Sequence, residues 1–327
     1  MRQRGREAKE QGGRLARRQV EPEDTLAPRL LATVFSHPRC LDHDPGPGHP
    51  ESPARLRAIL ERLEREAPEV IREAAPAPLD VVERVHPRRY LDQLAEVSGR
   101  GGGALDADTI LNPASWDAAL AGAGAALAAV HHAHTTGSHA FAAIRPPGHH
   151  ALAGRAMGFC LLGNAVIAAR EAQALGRERV LIVDWDVHHG NGTQALVEHD
   201  PSIRFISMHE WPAYPGTGLA SERGAGNVMN LPRAAGLPRA RYVSDLTAAI
   251  EASTGGWSPG MVLISAGYDS MLGDPLGGFT LEPSDYATLV VAIRRAAPRA
   301  PIVGLLEGGY APERVADGVM ATLKALI

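Results

Sequence analysis

Residues 184–192 read DWDVHHGNG and follow the apolar run RVLIV. Asp186 and His188 lie two apart, so in extended chain their side chains project to the same side. Asp269, after the apolar run MVLISA, can join them. Three nitrogen and oxygen ligands with a fourth position open make a catalytic zinc site rather than a closed structural one. A second cluster, RPPGHH, brings His149 and His150 behind the stiff stretch Pro146-Pro147-Gly148. Paired imidazoles beside a metal can hold an attacking water and hand its proton to a leaving amine. Asp184 and Asn191 are the partners on offer. A carboxylate raises an imidazole pKa whereas an amide mainly fixes its tautomer, so the two histidines should be unequal. Tyr310 follows Gly308-Gly309, where the backbone can come close, and its O–H could stabilise a tetrahedral oxyanion. Taken singly, each group also has a structural use: a loop hydrogen bond, a helix cap, a packed ring.

Such chemistry requires elements that carry distant residues to one place. The runs ATVFS (32–36), HAFAAI (139–144), RVLIVDW (179–185), IRFISM (203–208), MVLISA (261–266) and IVGLL (302–306) read as buried strands. Between them are amphipathic helices: Leu56, Ile59, Leu60 and Leu63 follow Ser52-Pro53, and Tyr286, Leu289, Val290 and Ile293 follow Ser284. An Ala-rich helix is expected after Ser115 to about Val130, with His131, His132 and His134 as its polar end. Alternating strands and helices predict an α/β fold, a parallel sheet covered on both faces. Five of the strands lead directly into polar clusters, and in such a sheet ligands bind outside the carboxyl ends of the strands, so the clusters should meet there. The Pro/Gly-rich pieces 44–50 and 98–109 read as loops, PGTG (215–218) as a turn, and Cys160 as a small buried hydrophobe.

The 33 Lys+Arg against 37 Asp+Glu give a net charge of −4, so no overall basic field points to nucleic acid. The partner is expected to be small or peptidic. Two cysteines, Cys40 and Cys160, exclude a disulfide framework and a thiolate zinc site and fit a reducing, cytoplasmic setting. The longest uncharged stretch holds an apolar piece of 13 residues, Ala118 to Val130, short of the roughly 20 that span a bilayer. Residues 1–20 carry seven basic side chains against Glu7 and Glu10 with no apolar core of a secretory signal. A disordered basic tail is expected over 1–30 and one catalytic domain over 31–327.

HPESPARL (49–56), RPPGHH, GFC (158–160), DWDVHHGNGT, PGTG, SAGYDS (265–270), GDPLGG (273–278) and EGGY (307–310), in this order, resemble the zinc-dependent histone deacetylase family. The likeness runs from about Thr33 to Ala325. It implies the arginase/deacetylase fold and hydrolysis of N-acyl amides, with acyl-lysine in proteins or peptides, or a small acylated amine, as substrate. The family's zinc ligands match Asp186, His188 and Asp269; its tandem histidines match His149 and His150, the second serving as general base and acid; its transition-state tyrosine matches Tyr310. The partner of the second histidine matches Asn191, as in the class II branch, and Asp184 supports the first. The narrow aromatic tunnel matches Gly158, Phe159 and Tyr214, whose rings would sandwich an aliphatic stem. Asp108 falls near the carboxylate at the tunnel rim. A potassium ion is also implied, held by Asp184, the main-chain oxygens of Asp186, His188 and Met208, and the Ser207 hydroxyl.

Three other readings stay open at this point. An acetylpolyamine hydrolase would share every catalytic residue; class II members of that kind carry an acidic gatekeeper where this chain has Leu276. A binuclear, arginase-like enzyme needs a further Asp two residues after the strand-end histidine, where this chain has Gly190. A non-catalytic acyl-lysine-binding scaffold predicts loss of the tyrosine or the histidine pair, and both are present.

Overall fold

The computed structural model describes residues 31–327; the expected tail over 1–30 lies outside them. In chain order the strands are β1 (Thr33–Ser36), β2 (Ile71–Glu73), β3 (Gly103–Ala104), β4 (Ile110–Leu111), β5 (Ala140–Ala142), β6 (Val180–Asp184), β7 (Ile203–Glu210), β8 (Val228–Arg233), β9 (Met261–Ala266) and β10 (Ile302–Leu306). The helices are α1 (Pro53–Glu66), α2 (Leu79–Val82), α3 (Arg88–Gly99), α4 (Ser115–Thr136), α5 (Asn164–Ala174), α6 (Asn191–Val197), α7 (Arg239–Thr254), α8 (Pro283–Ala296) and α9 (Pro312–Ala325).

Eight strands form one sheet in the order β2-β1-β5-β10-β9-β6-β7-β8, and every neighbouring pair is parallel. The six apolar runs supply six of these strands. Their side chains are buried on both faces, as in Val180 to Val183 and Met261 to Ile264, all 0% exposed, which is why they read as continuous rather than alternating runs. Gly304 of β10 stands opposite Phe141 of β5; a Cβ there would meet the Phe141 ring at 2.4 Å. The two edge strands were not legible. β2 is IRE with mostly exposed side chains, and β8 contains Pro232, which only an edge tolerates. The 98–109 loop contains β3, which pairs with β4 in a small antiparallel ladder.

The Ala-rich helix α4 runs past Val130 to Thr136 and ends at Gly137 in the left-handed conformation. Its small residues allow close approach: a Cβ on Gly124 would lie 2.0 Å from the Ala75 carbonyl. His131, His132 and His134 lie in its last two turns, at its polar end, with His131 Nε2 2.8 Å from Glu171. α8 starts two residues earlier than a helix following Ser284: Pro283 is its first residue and Glu282 and Asp285 make a capping box. Both cysteines are free and buried. Among the described residues no helix is long and apolar enough to cross a membrane.

Candidate active site

The polar clusters after β5, β6, β7, β9 and β10 converge at the carboxyl edge of the sheet. Asp186 and Asp269 are fully buried. His188 Nδ1 lies 3.1 Å from Asp186 Oδ1 and 3.3 Å from Asp269 Oδ2, and one donor atom from each residue falls within 4.8 Å of the others. Main-chain donors fix the carboxylates: Gly308 N to Asp186 Oδ2 at 2.8 Å and Val187 N to Asp269 Oδ1 at 2.8 Å. Asp269 Oδ2 is buried with no hydrogen-bond donor. A buried carboxylate oxygen left without a donor, facing another carboxylate and an imidazole, suits a divalent cation. The local field says the same. Burial opposes a charge on His188, yet its contacts with Asp186 and Asp269 draw its pKa up to about 10. Burial pushes Asp269 up to about 7. The set is one imidazole and two carboxylates, without thiolate, and it fits zinc in an open catalytic site.

The tandem histidines stand beside this cluster, their rings 4.0 Å apart. His149 Nδ1 is 3.1 Å from Asp184 Oδ2, and Asp184 is fully buried. His150 Nδ1 donates to Asn191 Oδ1 at 2.7 Å, which leaves Nε2 as its acceptor nitrogen. The expected inequality is present. Burial disfavours charge on both, but the carboxylates of Asp186 and Asp184 hold His149 well above the usual imidazole range. Burial and the charges on His149 and His188 hold His150 well below it. The carboxylates favour the charged form of His149, whereas burial favours the neutral form of His150.

Sequence reasoning missed the charged residues that hold these loops. Arg145 grips Glu51 with two parallel bonds, Nε to Oε1 at 2.5 Å and Nη2 to Oε2 at 2.7 Å, tying RPPGHH to the 44–51 loop. Arg55, fully buried, donates to the carbonyls of Glu307 and Gly309 and lies over the Tyr310 ring at 5.0 Å. Glu307 Oε2 accepts from the main-chain N–H of Gly148 at 2.6 Å and of His149 at 3.1 Å. The available signal was an Arg and a Glu spaced i, i+4 around an apolar helix start, and an acid closing an apolar strand. Burial pushes the Tyr310 phenol well above its usual range, so it stays protonated and able to donate.

A cavity of about 300 Å³ leads from solvent to this floor. Its walls include Gly158, Phe159 and Tyr214, its lip Asp108 and Leu276, and its floor His150, His188 and Tyr310. Gly158 is required: φ is +56°, and a Cβ would sit 2.4 Å from His150 Cδ2 and 3.0 Å from Tyr214 Cε1. Phe159 packs edge-on to Tyr310 and to His49, with centroids 5.8 and 4.7 Å apart. Leu276 and Tyr214 are 41% and 38% exposed, which gives the cavity mouth, also lined by Asp108, an apolar part. Behind the floor, Asp184 and Ser207 are register partners on β6 and β7 and Met208 follows, all buried; the Ser207 hydroxyl is 2.9 Å from His209 Nδ1. At position 190, a Cβ would fall 2.2 Å from Asp184 Oδ2, so no second-metal carboxylate fits there.

A family model for the histone deacetylase domain matches residues 49–326. An uncharacterized protein of Synechocystis is 41% identical over 307 residues, covering 91% of this chain and all of that protein. The histone deacetylase-like amidohydrolase of Pseudomonas aeruginosa is 34% identical over 293 residues, covering 85% of this chain and 77% of that one. The crystal structure of the HDA15 HD domain superposes with a TM-score of 0.86 at 34% identity, covering 91% of this chain and 88% of that one; the sheet and helices described above are thus the arginase/deacetylase fold. With its site at the strand ends and the family model matched along most of its length, this chain belongs to the histone deacetylase family.

Proposed function

We propose that this chain is a zinc-dependent amidohydrolase that removes the acyl group, foremost acetyl, from acyl-lysine side chains of proteins or peptides. The observation that carries the reading is the convergence, at the floor of one narrow tunnel, of a neutral imidazole acceptor (His150), a protonated phenol (Tyr310) and the Asp186, His188, Asp269 cluster. Zinc bound by those three residues would act as a Lewis acid toward the acyl carbonyl and the attacking water. The chain's own residues do the rest. Phe159 and Tyr214 flank the aliphatic stem and exclude water from it. Tyr310 donates its O–H to the carbonyl oxygen as charge develops there. His150 Nε2 takes the proton from the attacking water. It then delivers that proton to the departing amine nitrogen as the C–N bond breaks, leaving an amine and a carboxylic acid whose remaining proton passes to the amine or to solvent. His149, kept cationic by Asp184, stabilises the negative charge gathering on the acyl group.

Potassium beneath the floor is part of the same proposal, held by Asp184, the hydroxyl of Ser207 and the main-chain oxygens of Asp186, His188 and Met208; the register of buried Asp184 beside Ser207 supports it. A cytoplasmic setting is proposed from the two free buried thiols, and one catalytic domain over 31–327 from the eight-stranded sheet whose strands run from β1 to β10. The apolar lip at Leu276 favours a neutral stem. Asp108, which lines the same cavity, favours a second reading, an acetylpolyamine substrate whose cation it would attract. The test is kcat/KM of the zinc-loaded protein on an acetyl-lysine peptide and an acetylated polyamine side by side. Preference for the peptide is expected; preference for the polyamine overturns the substrate and leaves the mechanism in place.

A further inference from the structure

Tyr310 is aimed by its backbone. No hydrogen bond to its hydroxyl forms among the described residues, and Gly309 before it has φ of +115°, a conformation with little intrinsic preference to hold. What fixes the segment is a set of charged groups. Arg55 takes the carbonyls of Glu307 and Gly309 from one side, and Asp186 takes the Gly308 N–H. The Tyr310 N–H goes to Asp274 Oδ2 at 2.6 Å. The other oxygen of the same carboxylate, Oδ1, accepts the N–H of Leu276 at 2.9 Å. Asp274 is itself only 9% exposed and its own N–H is bonded to Met271 O at 3.2 Å.

We propose that Asp274 is a positioning residue that sets the catalytic phenol and the tunnel lip in one register, by bridging the main-chain N–H groups of Tyr310 and Leu276. This rests on the role given to Tyr310 above. The chemistry needed is specific. Two converging N–H donors require two acceptor oxygens with no proton between them, which a carboxylate supplies and a carboxamide does not. Asn at 274 would turn an NH2 toward one of the two donors. The bond to Tyr310 is short and charge-assisted, the class of hydrogen bond that best holds geometry. Misplacement of a reacting group by about 1 Å costs on the order of 10²-fold in rate.

The experiment is a double-mutant cycle on the zinc-loaded protein with an acetyl-lysine peptide, using Asp274→Asn, Tyr310→Phe and the pair. Zinc content and Tm are measured for each variant. Hydrogen exchange is followed in a peptide covering 306–311. The expected result for Asp274→Asn is a fall in kcat on the order of 10²-fold with KM changed by less than about threefold, as for an interaction made only in the transition state. Exchange over 306–311 should accelerate. Adding Tyr310→Phe to Asp274→Asn should cost less than about threefold more, because the phenol is already misplaced. A variant with unchanged kcat, or two effects that simply multiply, overturns the proposal. If Tyr310→Phe alone leaves kcat unchanged, the role of Tyr310 falls and this inference with it; if it slows the enzyme and Asp274→Asn does not, only this inference falls. Should Asp274→Asn fail to fold, Asp274→Glu, which keeps both acceptors but moves them by one methylene, is read in the same cycle with the same expectation.

Discussion

Asn191→Asp exchanges an amide NH2 for a carboxylate oxygen and tests the division of labour between the histidines. The amide oxygen of Asn191 receives the Nδ1 proton of His150 at 2.7 Å, and the partner is neutral, so burial and the neighbouring His149 keep the His150 pKa low. A carboxylate in its place adds a full negative charge beside the ring. At an effective dielectric of about 20, unit charges 4 Å apart interact by about 4 kcal/mol, or about three pKa units at 1.36 kcal/mol each. Opposite charges at such range shift measured values by about 1–3 units. The sign is upward, because the new charge favours imidazolium. A base must be deprotonated to act, so the acid limb of kcat/KM should move to higher pH by about 1–3 units. Activity on the acid side should fall first, while activity on the alkaline side of the new limb survives. The substitution also removes the long, weak hydrogen bond that Asn191 Nδ2 donates to Met157 Sδ at 3.5 Å, which is too feeble to move a titration. The assay is kcat/KM on an acetyl-lysine peptide from about pH 5 to 10. An acid limb that stays in place would mean that His150 is not the titrating base.

Two further predictions concern the elements that hold the tunnel. His86 Nδ1 donates to Ala153 O and its Nε2 accepts from Gly163 N, both at 2.9 Å, and burial lowers its pKa to about 4. Between pH 6.5 and 4 the unfolded chain takes a proton that the folded chain refuses, so stability present above about pH 6.5 is lost toward pH 4, by about 3 kcal/mol. The Tm advantage of wild type over His86→Leu should therefore narrow across that window, and a constant gap would contradict it. Gly158→Ala places a methyl group 2.4 Å from His150 and should lower kcat as well as stability; Gly216→Ala, at φ of +82° with nothing within 4 Å, should cost only the backbone strain of about 1–2 kcal/mol and leave kcat alone.

The central sheet could be read because buried parallel strands are apolar without interruption, and the site because each such strand runs straight into its polar residues. Asp186, His188 and Asp269 meet through a spacing of two on one strand end and a single acid on another. The residues that aim them were hidden for a physical reason. Arg55, Glu51, Arg145, Glu307 and Asp274 are charged and nearly or fully buried, and a charged side chain in sequence reads as surface unless its partner is known. Here the partners are far away: Arg145 to Glu51 spans 94 positions and Arg55 to Gly309 spans 254. His86 gave no signal for the same reason, since its two bonds reach a loop at 153–163. The edge strands β2 and β8 lacked one because an edge need not be apolar on both faces.

The most direct measurement is a zinc titration of the chelator-stripped protein, following release of the free amine from an acetyl-lysine peptide. No turnover is expected without metal, and activity should rise to saturation at one equivalent of zinc per chain. Turnover independent of metal, or saturation only at two equivalents, would contradict that expectation.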